Sequence, residues 1–338
     1  MRKTTIKRIA ELANVSTTTV SYVLNNRPGI SQKTRDRVLQ IMEQEDYAPS
    51  SSATLPRRGR NVFLVVDELA SFGNLFYSAI VDTMSVVAAK YGYNIILSNT
   101  LDSFLTSTAA KAIRQGTADG LIFLHDIEPE ILIFLHQEQV PFVVIDAHRQ
   151  DTNYSRICVD YELSAYTATR HLIELGHERI GFIGERAVPD FYTSTFNGFC
   201  RALTEKSLTV HPAWLQSEAC DIESASVCMN NILKFNELPT GIVCATDQFA
   251  LAAMHCAQDH GYQIPQDFSF VGIDDLNISQ LYYPALTTIR IDYFEMAERA
   301  VDLLSDFIDN KHPDTPVVYT VKSDTLICRD STAAPMTR

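Results

Sequence analysis

Apolar positions change period along the chain. In the first 45 residues Ile6, Ile9, Ala10 and Ala13 follow the i, i+3, i+4, i+7 spacing of a short helix with one buried face. Val20, Val23 and Leu24 make a second inward stripe behind Ser16, whose hydroxyl can cap the free N–H groups of that helix's first turn. On its opposite face Thr18, Ser21, Tyr22 and Asn25 recur at the same spacing, so the exposed side carries short hydrogen-bonding groups in place of Lys and Glu. Asn25-Asn26-Arg27-Pro28-Gly29 is turn chemistry, and Ser31 opens a third helix with Val38, Ile41 and Met42 inward. Two short helices joined by a tight turn and buttressed by a third predict a helix-turn-helix. Its second helix would place Thr17 and Thr18 against base edges in the major groove. A three-helix protein-interaction bundle is the competing reading, but it would not need a polar stripe flanked by Lys and Arg that reach phosphate.

Residues 47–60 are small and basic without apolar periodicity, which predicts a mobile linker. From Asn61 onward, apolar runs alternate with helical patterns. Strands are predicted at 62–66, 94–98, 120–125, 141–146, 157–159, 179–184, 241–246 and 268–274. Helices are predicted at 76–89, 161–175, 195–206, 225–236, 249–260 and 293–307. Continuous apolar strands separated by single helices mean doubly wound parallel sheets covered on both faces. About 270 residues is long for one such sheet, so two subdomains are expected.

Charge divides the chain in the same place. Residues 1–60 hold eleven Lys or Arg against five Asp or Glu, a net of +6, which leaves −19 of the total −13 on the remainder. A basic head on an acidic body predicts that the head meets a polyanion. The composition, 46% hydrophobic and 20% charged, excludes a disordered chain. No apolar run approaches the roughly 18 residues of a membrane span. The charged N-terminus leads into no apolar core, so export is not expected. Seven cysteines without a Cys-x-x-Cys pair argue for a reducing cytoplasm and against a disulfide framework or structural zinc.

Ligands of open parallel sheets sit beyond the carboxyl ends of the strands. Predicted strands here end at Asp67, His125, Asp146, Asp160, Thr246-Asp247 and Asp274-Asp275. Carboxylates around a cleft accept from vicinal hydroxyls, while Phe72, Phe76, Tyr77, Phe191, Tyr192 and Tyr293 offer faces to the C–H side of a sugar. Some of these acids, Asp160 and Asp247 among them, can instead cap the following helix. Catalytic and cofactor motifs do not assemble. His177-Glu178-Arg179 lacks the second His of a zinc-protease helix, Gly181-Phe182-Ile183-Gly184 lacks dinucleotide spacing, and no Gly-x-Ser-x-Gly elbow occurs. No metal, cofactor or catalytic residue is expected.

The head resembles the headpiece of the lactose/galactose repressor family. The matching residues are Thr5-Ile6-Lys7, Ile9-Ala10, Leu12-Ala13, Val15-Ser16, Thr19-Val20-Ser21, Val23-Leu24-Asn25, Pro28-Gly29, Ser31, Thr34-Arg35 and Tyr47-Ala48-Pro49. The resemblance implies base contacts from Thr17, Thr18 and Tyr22, within a DNA surface that also takes in Thr5, Ser16, Ser21, Asn25, Ser31, Thr34 and Arg35. It implies a hinge helix whose Leu wedges into the minor groove. Leu55 is the candidate, one residue early and followed by Pro56; a flexible tether with Arg57, Arg58 and Arg60 on phosphate is the alternative.

The body resembles the effector-binding core of the same family through Gly73-Asn74-Leu75-Phe76-Tyr77, Ala118-Asp119-Gly120, Val140-Pro141 to Asp146, His171 to His177, Asp267 to Asp275 and Pro284 to Ile289. This implies an all-α headpiece, residues 1–46, a hinge, 47–60, and a periplasmic-binding-protein-like core, 61–330. The core would divide into one subdomain of 61–157 and 289–320 and another of 158–288 and 321–330, before a short tail, 331–338. Effector contacts would fall on Asp146, Thr246, Asp274 and Tyr293, within a site that also holds Phe76, Tyr77, Phe191, Tyr192, Thr195 and Asp247. Thr195 stands where the family has an effector-gripping Arg and Thr246 where it has Asn, so the effector's identity does not carry over; a neutral saccharide suits the acids. The tail is too short for a tetramerising coil, so a homodimer on pseudo-palindromic operator DNA is expected. The expectation is a sugar-responsive repressor and not an enzyme. A sugar-processing enzyme with a DNA-binding head, or a regulator whose main co-effector is a phosphoprotein, are the alternatives.

Overall fold

The structure, a computed structural model, describes residues 6–24, 30–44, 60–66, 74–99, 103–149, 152–309 and 315–336. Thr5, Asn25, Leu55, Asp67 and Phe72 lie outside the described residues.

The head is three helices, α1 (Ile6–Ala13), α2 (Thr17–Leu24) and α3 (Gln32–Gln44). Ile9, Ala10 and Ala13 of α1, Val20 and Val23 of α2, and Val38 and Met42 of α3 close on one another as an apolar cluster. Both later helices start from a side-chain cap: Ser16 Oγ accepts from Thr19 N at 3.0 Å and Ser31 Oγ from Thr34 N at 3.2 Å. The Arg35 guanidinium donates to the Val23 carbonyl at 3.3 Å, tying α3 to the end of α2.

The body holds two six-stranded sheets. The first is built from β1 (Arg60–Val66), β2 (Tyr93–Asn99), β3 (Gly120–Leu124), β4 (Phe142–Ile145) and β5 (Arg156–Val159), with α4 (Leu75–Lys90), α5 (Thr108–Gln115) and α6 (Pro129–Glu138) between them. The chain then passes through α7 (Tyr161–Glu174), β6 (Ile180–Ile183), α8 (Pro189–Glu205), β7 (Leu215–Gln216), α9 (Ile222–Ile232), β8 (Gly241–Cys244), α10 (Asp247–Asp259), β9 (Ser269–Asp274) and β10 (Thr287–Arg290). It returns through α11 (Tyr293–Ile308) and β11 (Val318–Val321) to the first sheet, and ends at β12 (Thr325–Ile327) in the second. The orders are β2-β1-β3-β4-β5-β11, all parallel, and β7-β6-β8-β9-β10-β12, parallel except for the β10/β12 pair. Every residue of β3 and β9 is buried, as continuous apolar runs predict for strands covered on both faces.

The chain therefore crosses between the sheets three times, near residues 160, 291 and 323, and the crossings are bonded to one another. Asp160 N donates to Val321 O at 3.1 Å, the Ser164 hydroxyl to Ser323 O at 3.1 Å, and the Ser323 hydroxyl to Arg290 O at 3.1 Å. Such a clustered hinge lets two rigid sheets close on a ligand while little else changes.

Some elements differ from the sequence expectation. Residues 129–138, to which the sequence pattern assigns no element, form α6, which Pro129 starts. The helix expected at 195–206 begins at Pro189, which turns its first residues toward the cleft described below. Residues 331–336, expected as a tail, pack on the second sheet because they supply partners to its backbone. Phe270 N donates to Ser331 O at 2.9 Å, and the Ser331 hydroxyl donates to Phe270 O at 2.7 Å while accepting from Thr287 N at 2.8 Å.

Helix α8 meets α7 at Gly198, where an added Cβ would lie 2.0 Å from the Glu162 carbonyl oxygen. Gly198→Ala is expected to force the helices apart and cost about 3 kcal/mol. In a body of this size that lowers the melting temperature by roughly 6 to 12 °C. An unchanged thermal melt would show that the backbones can yield there.

Candidate functional site

The carboxyl ends of β3, β4, β6, β8 and β9 open onto a cleft of about 460 Å³ that both sheets line. Three of its residues, His125, Asp146 and Asp274, have positive φ (86°, 58° and 130°), an unfavourable conformation for residues with a Cβ. Strained backbone gathered at strand ends around a cavity is the usual mark of a functional site.

On the first sheet's side Asp146 is 3% exposed and held on three sides. Its Oδ2 accepts from the Tyr77 hydroxyl at 3.0 Å, its Oδ1 from the Tyr161 hydroxyl at 2.7 Å, and His148 Nε2 stands 3.4 Å from Oδ2. Asp126 sets the turn that brings His148 there, accepting from His148 N at 2.9 Å, Arg149 N at 3.1 Å and the Tyr154 hydroxyl at 2.8 Å. Burial alone would raise the Asp146 carboxyl, but the charge and hydrogen bond of His148, with the Tyr161 hydroxyl, outweigh it and hold the carboxyl below its usual range. Burial likewise pulls His148 down, and Asp146 first, then Asp126 and Asp190, lift it above its ordinary value. Each partner thus favours the charged form of the other.

The raised folded value of His148 means that its stabilisation is complete below about pH 6.5 and fades as pH rises through the folded value. The depressed Asp146 contributes above about pH 4 and loses its contribution on further acidification. His148→Gln is therefore expected to destabilise the body most near pH 5 to 6, with the deficit against wild type shrinking toward pH 9. Thermal melts across that range check this, and a deficit that grows with pH would contradict it.

On the second sheet's side Asp274, also 3% exposed, is pushed well above the usual carboxylate range by burial, then by the charges of Asp247 and Asp146. Its Oδ2 accepts from Asp247 N at 3.4 Å. Glu185, directly beyond β6, is raised to about 7 by burial and by Asp221, against the opposing pull of His148. Phe76, Tyr77, Tyr161, Phe191 and Phe249 supply aromatic surface. The two sides touch where Leu75 N donates to Gln248 Oε1 at 3.1 Å, and where the Phe191 ring sits 4.8 Å from Tyr161 and 5.4 Å from His148.

Of the effector residues expected from the sequence, Phe76, Tyr77, Asp146, Phe191, Thr246 and Asp274 line the cleft. Thr246 also caps α10, accepting from Phe249 N at 3.2 Å. Four others do not reach it. Thr195 is fully buried and its short hydroxyl is spent on the Phe191 and Tyr192 carbonyls of its own helix, at 3.0 and 3.1 Å. Tyr192 stacks on Phe196 with centroids 5.5 Å apart. Tyr293 lies behind the wall, its hydroxyl donating to Asp274 O at 2.9 Å and its ring 5.6 Å from Phe76. Asp247 is fully buried and structural: it accepts from Leu276 N at 2.9 Å and from the Ser279 and Thr288 hydroxyls. An added Cβ on Gly272 would lie 2.2 Å from Asp247 Oδ1, so that glycine makes the room. Asp160 caps α7 through Leu163 N at 2.9 Å. Sequence reasoning missed His148, Tyr161, Glu185 and Gln248, although each lies within two residues of a strand end or helix start already singled out.

In the head, Thr17, Thr18 and Tyr22 stand exposed on α2. Ser16, Ser31, Thr34 and Arg35 serve the helix caps and the α2–α3 tie given above, so their first role is to fix the angle at which α2 is presented. Among the described residues no group of acids, histidines and cysteines could hold a metal, and no helix is long and apolar enough to cross a membrane.

A basic helix-turn-helix head on a body of two sheets closing over a cleft defines a DNA-binding regulator under small-molecule control. Residues 5–50 match the bacterial regulatory proteins of the lacI family and residues 169–332 match the periplasmic binding protein-like domain. The chain is 32% identical over 313 residues to the HTH-type transcriptional repressor PurR of Aliivibrio salmonicida (strain LFI1238), covering 91% of this chain and 93% of that one. It is 29% identical to catabolite control protein A of Priestia megaterium, over 93% and 95%. Among solved structures, the lac repressor dimer bound to operator and the anti-inducer ONPF aligns with a TM-score of 0.70 at 25% identity over 98% and 100% of the two chains. The complex of the transcriptional regulator CelR with cellobiose aligns with a TM-score of 0.71 at 25% identity over 97% and 99%. The chain belongs to the lacI family, and it is a DNA-binding transcriptional regulator.

Proposed function

We propose that the protein represses transcription as a homodimer on a pseudo-palindromic operator in the cytoplasm, and that a saccharide without an anionic group, held between the two sheets, sets its DNA affinity. The observation that carries this reading is the cleft itself: buried Asp146 and Asp274 face it from opposite sheets, aromatic rings line it, and among the described residues no Lys or Arg does. Carboxyls accept from vicinal hydroxyls and rings cover C–H faces, whereas a phosphate or carboxylate would meet like charge without a counter-charge. The similar lac repressor dimer on operator and the CelR complex with cellobiose support the same reading.

Within this reading Thr17, Thr18 and Tyr22 set sequence preference. Selection of sites from random duplexes by the full chain gives the operator, and repeating it with Tyr22→Ala is expected to relax the preference at one or two positions of each half-site. The change should be worth about 1 to 3 kcal/mol per base pair. An unchanged site profile would move base reading to another face of the head.

A further inference from the structure

The saccharide reading above leaves the charge of the cleft unbalanced. Among the described residues five carboxyls line it, from Asp146, Glu185, Asp221, Glu223 and Asp274, and the only side chains there able to carry positive charge are His125 and His148. Of the arginines nearby in sequence, Arg149 lines the adjoining cavity with Asp126 and Asp190, Arg186 reaches Glu218 at 3.9 Å, and Arg290 and Arg329 both hold Asp275. Three of the five acids have partners, Asp274 among them through Oδ2, which accepts from Asp247 N at 3.4 Å. Asp146 is matched by His148, and Asp221 accepts from Ser224 N at 2.7 Å in the capping box of α9. Asp274 is almost wholly buried, yet its Oδ1 has no hydrogen-bond partner among the described residues. Glu185 is half-buried and makes neither a hydrogen bond nor an ion pair among them. A neutral sugar would satisfy the hydrogen bonds of both but bring no positive charge to Glu185 beyond the pull of His148, so ionising Glu185 in a site partly withdrawn from water would stay costly.

We propose that the effector is an amino sugar whose protonated amine is held by Glu185, with Asp146 and Asp274 taking its hydroxyls. An ammonium brings three donors and the missing charge to one carboxylate. Asp221 and Glu223, at the start of α9 on the same wall, deepen the negative field at that end of the cleft. Burial raises Glu185 to about 7, so in the unliganded cleft it is partly protonated near neutrality and an arriving cation displaces that proton.

The test is calorimetric titration of the full chain with matched hexoses that differ in one group, namely glucose, glucosamine, N-acetylglucosamine and glucuronate with their galacto and manno counterparts, together with putrescine and spermidine. At least one hexosamine is expected to bind about tenfold or more tightly than its parent hexose and its N-acetyl form. In Glu185→Gln the ratio of the two dissociation constants should fall toward one, and Glu185→Asp should restore part of it. Parent hexoses that bind as tightly as their amines would overturn the amine while leaving the saccharide reading standing. Binding by the open-chain amines alone would remove the sugar and keep the cation, and binding by glucuronates alone, or by none of these compounds, would overturn both.

Discussion

Removing residues 1–60 is expected to abolish specific operator binding, with affinity falling at least about a thousandfold, to or below the level of non-specific contact. The head carries +6 and the rest of the chain −19, so the body alone meets a polyanion with repulsion. Phosphate contacts release condensed counterions. Operator binding by the full chain should therefore weaken with salt by about 0.9 units of log K per log unit of salt for each phosphate neutralised. The geometry of the head explains why the loss should be complete: α2 is aimed by the Ser16 cap, by the apolar cluster beneath it and by the tie from Arg35 to Val23, all inside the head. Gel-shift titration of the truncated protein on the selected operator at several salt concentrations measures this. Specific binding that survives the truncation would place a second DNA surface on the body.

The sequence made visible whatever depends on local pattern. Strands such as Gly241–Cys244 and Ser269–Asp274 read directly because burial on both faces demands an unbroken apolar run, and their ends marked the cleft because ligands of parallel sheets gather there. Helix α5 was invisible because its inward face is mostly alanine, with Ala109, Ala110, Ala112 and Ile113 its only buried residues. Strands β10 (Thr287–Arg290) and β11 (Val318–Val321) mix polar with apolar residues and show no unbroken apolar run, and pairing with β9 and β5 defines them. Within the site, the strand-end rule could not separate Asp274 from Asp247. Both follow apolar strands, but the second turns inward to bond Leu276, Ser279 and Thr288, a long-range arrangement with no local signature. Thr195 and Tyr192 were misplaced because Pro189 starts α8 early and rotates Phe191, not them, toward the cleft. His148 reaches Asp146 only because Asp126, on a different loop, holds its turn.

An effector that binds the folded body at a hundredfold excess over its dissociation constant should stabilise it by about 2.7 kcal/mol. For a body of this size the melting temperature then rises by roughly 5 to 10 °C, and Asp274→Ala is expected to abolish that rise while sparing operator binding without effector, since head and cleft are separate modules. The isosteric variant separates two ways in which Asp274 could act. Burial and the charge of Asp247 push its carboxyl well above the usual carboxylate range, which favours the neutral acid over the carboxylate. Asp274→Asn imitates that form and should keep most of the ligand-induced rise. The linkage has a definite sign: a carboxyl whose folded value is raised contributes stability in full below its unfolded value near 4 and loses it as pH climbs toward the folded value. Asn has no proton to lose, so without ligand Asp274→Asn should gain on the wild type as pH rises from 4 to 8. Should the Asn variant instead lose the ligand response as completely as Ala, the ligand is held by an ionised Asp274, and a cation, not a hydroxyl, occupies that side of the cleft.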